Sequence, residues 1–188
     1  MKKKEELNII ISKCLRKNRK AQEELFKLFY GKMLGVSMRY TKDDDTAQEV
    51  VQESFIKCFD KLNTFDRDGY FEGWLKRIVI NTAIDNIRKS KKSPYVNDLN
   101  EDYSLSNEEE DEEDFEITKM KTELIMSSIQ KLSPAYQAVF NLYVIEEYSH
   151  KEISEILKIS EGTSKSNLSK AKANLKKMLK TELLNLEI

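Results

Sequence analysis

Apolar residues recur along this chain at spacings of three and four, the period of a helix that buries one face. Ile10, Ile11, Cys14 and Leu15 form one such set. Leu25, Leu28, Phe29, Met33 and Val36 form a second, and Val50, Val51, Phe55, Phe59 and Leu62 a third. A fourth helix is predicted over residues 71–91. Residues 63–70, polar and containing Gly69, read as the loop before it. The pattern lapses after Ser93-Pro94, where proline stops a helix, and resumes near residue 118. Ser133-Pro134 has the form of an N-cap followed by proline at the first helical position. Ser149 and Glu152 have capping-box spacing ahead of a short helix whose one face carries Ile153, Ile156 and Leu157. Lys158, Ile159 and Ser160 make a tight turn, with Ser160 placed to cap a long helix. The seam of that helix is Leu168, Ala171, Leu175, Met178 and Leu179. There is no internal repeat.

Charge sharpens this division. The 188 residues carry a formal net charge of −1, but residues 98–116 hold eleven acidic side chains and no Lys or Arg. The rest of the chain has a surplus of ten basic residues. A run of like charge with few apolar residues favours a solvated tether over a packed element. The pattern therefore predicts two mildly basic helical parts, residues 1–92 and 118–188, joined by an acidic linker over residues 93–117. Basic parts suit a polyanion, and nucleic acid is the usual one. Five Gly and two Pro are too few for a many-stranded β fold. No apolar run approaches the roughly 18 residues of a membrane span. No signal-peptide core follows the basic start, so a cytoplasmic protein without membrane insertion is expected. Cys14 and Cys58 make no metal or redox motif and read as reduced core or boundary residues. His150, the single histidine, reads as a surface or helix-start residue.

Two helices carry candidate chemistry. Short helix, tight turn and basic second helix form a helix-turn-helix pattern. Residues 161–180 hold six lysines against one Glu. Thr163, Lys165, Ser166, Ser169, Lys170 and Lys172 are its candidate DNA contacts, since lysines neutralise phosphates and short polar side chains reach base edges. The bland alternative is a solvated lysine face. On the helix from Phe71, Arg77, Asn81, Asp85 and Arg88 fall in one narrow stripe, set in a mostly apolar cylinder of Leu75, Ile78, Val79, Ile80, Ala83, Ile84 and Ile87. The stripe is either a satisfied buried polar row or a reading edge for bases and phosphates. The basic run over residues 88–92 favours a polyanion nearby. On the third helix Glu49, Gln52 and Glu53 form a polar face, which by pattern alone is an ordinary solvated face.

Several segments, in order, carry a resemblance. They are residues 47–55 (Ala-Gln-Glu-Val-Val-Gln-Glu-Ser-Phe), residues 71–78 (Phe-Glu-Gly-Trp-Leu-Lys-Arg-Ile), and Asn81, Asp85 and Arg88. They continue with Leu132, Ser133 and Pro134, then Tyr148, Ser149, Glu152 and Ile153, then Gly162, Thr163, Lys165 and Ser166. Over nearly its whole length the chain resembles an extracytoplasmic-function sigma factor of the sigma-70 family. The resemblance implies an all-α protein with a sigma-2-like four-helix domain and a sigma-4-like helix-turn-helix domain. The implied function is promoter-specific transcription initiation, without a catalytic site, metal or cofactor.

It also implies roles. Glu49, Gln52 and Glu53 dock on the core of bacterial RNA polymerase. The loop over residues 63–70, with Asp66, captures a base of the −10 element of promoter DNA. Arg77, Asn81 and Arg88 hold the melted strand, and the last helix reads the −35 element. The linker threads the polymerase cleft, and an anti-sigma factor is an expected partner. The chain departs from the family pattern at Glu49, where Asp is common. It departs again at Ser164, in place of an apolar residue, and at Asn167, in place of Arg. Ser164 is expected to weaken packing and Asn167 to remove one phosphate-binding charge. Two rival classes are a helix-turn-helix regulator independent of polymerase and an enzyme acting on nucleic acid. The stripe on the fourth helix argues against the first. The lack of metal-spaced ligands or a nucleophile–base pair argues against the second.

Overall fold

The computed structural model describes residues 2–90 and 124–186. The expected linker over residues 93–117, Pro94 and the end of the basic run lie outside the described residues. The described residues form helices and turns and no β-strand. They fall into two compact units, Met1–Asn86 and Ile87–Ile188.

The first unit is built from α1 (Lys2–Leu15), α2 (Arg19–Met38), α3 (Asp44–Lys61), a 3₁₀ turn (Leu62–Thr64) and α4, which begins the span Phe71–Ser90. Two of these helices start where side chains satisfy orphan backbone donors. Asn18 accepts from Ala21 N at 3.1 Å, and Asp43 accepts from Thr46 N at 2.7 Å. α1 and α3 both pack on α2. The buried seams follow the predicted spacing: Ile11 and Cys14; Leu25, Phe29, Met33 and Val36; Val50, Val51, Phe55, Cys58 and Leu62; Leu75, Val79, Ile80, Ala83 and Ile84. Leu28 is a correction. It is 55% exposed, because it lies beside the seam made by Leu25, Phe29 and Met33 rather than on it. Cys14 and Cys58 are buried free thiols. Burial pushes Cys14 up to about 11 and Cys58 up to about 12, with the charge of Glu24 adding to the first and that of Cys14 to the second.

The second unit contains α5 (residues 124–131), α6 (Pro134–Phe140), α7 (His150–Leu157) and α8 (Glu161–Leu186). α6 runs on into a wider π-type turn, Asn141–Ile145. Both α6 and α7 pack on α8. Ser149 closes the capping box with Glu152 at α7. Lys158 takes the left-handed conformation (φ 57°, ψ 47°) that turns the chain out of α7. Ser160 Oγ accepts from Thr163 N at 3.0 Å and so caps α8. Ser133 differs from expectation: it occupies the N-cap position of α6, but its hydroxyl makes no cap bond and is buried.

Gly31 sits on the exposed side of α2, and a Cβ there would meet nothing within 4 Å. Its φ is not positive, so alanine fits the backbone. Gly31→Ala should raise stability by about 0.5–1 kcal/mol through helix propensity alone. Urea unfolding monitored by circular dichroism measures this directly; an unchanged or lower midpoint would show that Gly31 serves something other than the helix.

Candidate nucleic-acid interface

Four surfaces carry the sequence-derived candidates. The first is the outward face of α3. Glu49 and Gln52 are exposed, while Glu53 is half-buried and paired with Lys57 at 2.8 Å. Ile56, 63% exposed, falls in the middle of this polar face at helical spacing from Gln52 and Glu49. Sequence reasoning missed it, although its phase on the helix was visible. An exposed Ile set among carboxylates and an amide is what a protein-docking face needs: apolar contact at the centre and polar groups around it.

The second surface is the loop before α4. Its shape comes from an aromatic cluster. Phe65 is buried, its ring 5.1 Å from Phe71 and 5.4 Å from Trp74. Phe71 in turn meets Phe29 of α2 at 5.2 Å. Each such pair adds about 0.5–1.5 kcal/mol beyond area burial. With Phe65 anchored, residues 66–70 arch outward and are all exposed. Asp66 holds the arch together. Its carboxylate accepts from Asp68 N at 3.1 Å, and its carbonyl accepts from Gly69 N at 2.8 Å. A Cβ at Gly69 would lie 3.0 Å from that carbonyl, a tight contact that glycine avoids. As an acceptor only, the Asp66 carboxylate suits the amino group of a base and not a phosphate.

The third surface is the α4 stripe. Arg77, Asn81 and Asp85 are exposed, and Arg88 is half-buried in the last described turn. This overturns the reading of the stripe as a buried polar row. Thr82, next to it, is the buried polar residue; its hydroxyl donates to the Ile78 carbonyl at 2.9 Å and accepts from Lys57 Nζ at 3.2 Å.

The fourth surface is the outer face of α8. Lys165, Ser166, Ser169 and Lys172 are exposed and follow one another at one-, three- and three-residue steps along the same side, and Lys176 continues the row. Lys170 is half-buried. Thr163 is half-buried too, its hydroxyl 2.8 Å from Ser160 Oγ in the helix cap. Asn167 corrects an expectation, whereas Ser164 occupies the packing position that its comparison with an apolar residue implies. Both are buried, because they share the phase of Leu168, Ala171 and Leu175. Ser164 Oγ shares a 2.8 Å hydrogen bond with His150 Nδ1, so the lost apolar contact is replaced by a polar link between the starts of α7 and α8. Asn167 faces the interior, so that position removes nothing from the phosphate-facing row. His150, the first residue of α7, also stacks on Tyr143 with ring centroids 4.5 Å apart.

Among the described residues no group of three or more His, Cys, Asp or Glu side chains could hold a metal ion. No helix among them is long and apolar enough to cross a membrane.

Desolvation, then the nearby Lys165, lowers the His150 pKa below its ordinary 6.5, with Glu161 opposing. The unfolded chain therefore binds a proton before the folded one as pH falls. This contribution to stability is complete above about 6.5 and is lost below it, down through the lowered folded value. The unfolding midpoint should fall between pH 7 and 5.5, and His150→Gln should flatten that slope. A thermal-shift series across this range checks it.

Residues 25–93 match Sigma-70 region 2, and residues 122–175 match Sigma-70 region 4. The ECF RNA polymerase sigma factor SigW of Bacillus subtilis is 28% identical over 93% of this chain and 99% of its own length. The RNA polymerase sigma-H factor of Pseudomonas aeruginosa is 27% identical over 90% of this chain and 92% of its own. Among solved structures, the sigma factor RpoE of Bartonella quintana, crystallised with the anti-sigma factor NepR, shares the fold. Its TM-score is 0.52 at 19% identity, covering 84% of this chain and 96% of that one. The chain belongs to the extracytoplasmic-function group of the sigma-70 family.

Proposed function

We propose that this sigma factor divides promoter-specific initiation between its two helical parts. Residues 1–92 bind core polymerase and the −10 element, residues 118–188 bind the −35 element, and residues 93–117 connect them. The observation that carries this reading is the exposure of Arg77, Asn81 and Asp85 on a helix otherwise committed to the core. A hydrogen-bonding edge is held rigidly at the surface there, on a helix rather than a loop. Asn offers both a donor and an acceptor to an unstacked base, and Arg77 and Arg88 supply charge for the phosphates. Asp66 adds an acceptor at the arch. Duplex DNA hides the base edges that these groups reach, so their grip favours the open strand.

On α8, Lys165, Ser166, Ser169 and Lys172 form the major-groove face. Thr163 shapes the helix start, and Lys170 lies at the margin as a phosphate contact. Glu49, Gln52 and Glu53, with Ile56 at their centre, form the polymerase-docking face. The protein acts in the cytoplasm as a transcription initiation factor without a catalytic centre or cofactor of its own. An anti-sigma factor is its expected regulator, as RpoE of Bartonella quintana is found with NepR.

Three measurements test these assignments. Asn81→Ala should leave the unfolding midpoint nearly unchanged, within about 0.5 kcal/mol as for other surface positions. It should nonetheless depress permanganate-reactive open complex per bound holoenzyme. Normal melting in that variant contradicts the strand-holding role. For the docking face, Gln52→Ala combined with Ile56→Ala should weaken core-polymerase binding by about 1–3 kcal/mol at unchanged helicity. Equal affinity in a fluorescence titration would assign docking elsewhere. For the −35 face, Lys172→Ala should lower affinity about equally on all sequences and reduce the salt slope by roughly one unit, whereas Lys165→Ala should blur sequence preference.

A further inference from the structure

A helix that reads DNA needs its first turns held, because those turns carry the side chains that reach the bases. In α8 those turns lack an apolar anchor. Ahead of Leu168 its buried side chains are Ser164 and Asn167, both polar. Leu168, Ala171 and Leu175 hold the helix only further along. Apolar burial is also non-directional, so it fixes the distance of a helix better than its roll. A roll of about 20° moves a side-chain end about 6 Å from the axis by about 2 Å. A productive contact tolerates about 0.5 Å.

The Ser160 cap fixes where α8 begins. Its roll is fixed from outside, by the ring of His150, which joins three elements. The ring stacks on Tyr143 of the π-type turn with 23° between the planes. Its Nδ1 lies 2.8 Å from Ser164 Oγ on α8. Its backbone is the first residue of α7, whose start the Ser149–Glu152 capping box holds. Behind the stack, Glu147 takes the left-handed conformation (φ 59°), and Tyr148 N donates to the Leu142 carbonyl at 2.9 Å, folding the π-type turn back toward α7. The stack restrains the tilt of the ring, the box restrains its root, and the hydrogen bond passes both restraints to Ser164. The next residues on α8 are Lys165 and Ser166, both exposed.

We propose that His150 is a positioning residue for promoter reading: through Ser164 it sets the roll of the first two turns of α8, and so where Lys165 and Ser166 meet the −35 base edges. The proposal rests on the reading of α8 as the −35 helix. It adds a determinant of sequence preference that lies outside the row of DNA contacts.

The ring also gives the hold a pH dependence. The charged groups beside it on α8 are Lys165 and Glu161. The π-type turn presents the phenol of Tyr143, and on α7 itself the nearest carboxylate in sequence is the capping Glu152. Desolvation, then Lys165, keep the pKa of the ring below its ordinary 6.5, with Glu161 opposing. A neutral ring and a hydroxyl satisfy each other in either direction. A protonated Nδ1 can only donate, and its charge repels Lys165 and opposes the α7 dipole. Acid therefore loosens the hold.

The test uses the full chain bound to core polymerase. The probes are a promoter duplex selected by run-off transcription from a library and the same duplex with its −35 element scrambled. The readout is the ratio of the two affinities, in which general attraction to phosphate cancels. Ser164→Ala, favourable to the helix by propensity, should cut that ratio by about 5- to 20-fold at pH 7.5. His150→Ala should cut it equally, and the double substitution no further, because both act through one bond. His150→Asn places an amide where Nδ1 stood and should keep most of the ratio. The wild-type ratio should fall between pH 7.5 and 5.5, while that of His150→Asn stays level.

An unchanged ratio in Ser164→Ala overturns the positioning role. So does a loss of equal size on both duplexes, which places the effect in folding or in phosphate contact. Equal loss in His150→Asn and His150→Ala overturns the bond to Ser164 as the route, and a pH profile shared by wild type and His150→Asn overturns the titrating hold. Lys165→Ala in the same assay separates the two layers. If it lowers the ratio and Ser164→Ala does not, the positioning role alone fails; if neither lowers it, the −35 reading of α8 fails with it.

Discussion

The arch and the α4 stripe of the first unit both depend on where Phe65 is buried. That one ring, held by Phe71 and Trp74, fixes the end of the 3₁₀ turn and forces the next five residues outward. The same rings define the start of α4, so the arch and the α4 stripe form one rigid surface. Phe71 also touches Phe29, which ties that surface to α2 and through it to α1 and α3. A site that must hold a flexible strand in one register needs this kind of support, because small errors in placement weaken each contact.

The second unit uses a different device. Its two helix-turn-helix elements are joined by side-chain hydrogen bonds as well as by packing. Ser149 and Glu152 fix the start of α7, Ser160 fixes the start of α8, and His150 links to Ser164 across the gap. The outward face of α8 is therefore set by the caps at the two helix starts and by the His150–Ser164 bond behind it. The relation between Lys165 and His150 follows from this: one exposed cation lies near a ring whose pKa desolvation already lowers.

The helices, the two caps and the helix-turn-helix were legible because each is written in local spacing. The α4 stripe was legible as a line of polar residues, but its exposure was not: one helix read alone does not say which side meets its neighbours. Leu28 failed for the same reason, since a five-residue apolar set on α2 is wider than the face its neighbours cover. Asn167 was misread as part of the phosphate-facing row, whereas comparison with an apolar residue put Ser164 on the packing side. Their own phase puts them in line with Leu168, Ala171 and Leu175, on the buried side. The π-type turn after α6 has no signature in spacing; it arises from contacts that only the folded chain makes.

The two cysteines have a consequence for signalling. A thiol reacts with peroxide or disulfide as its thiolate, and access to reagent matters as much as charge. Cys14 and Cys58 are both buried and are pushed up to about 11 and about 12, so at neutral pH the folded protein presents almost no thiolate. No other cysteine occurs in the chain. A thiol switch at either cysteine would therefore first require the helices of the first unit to open.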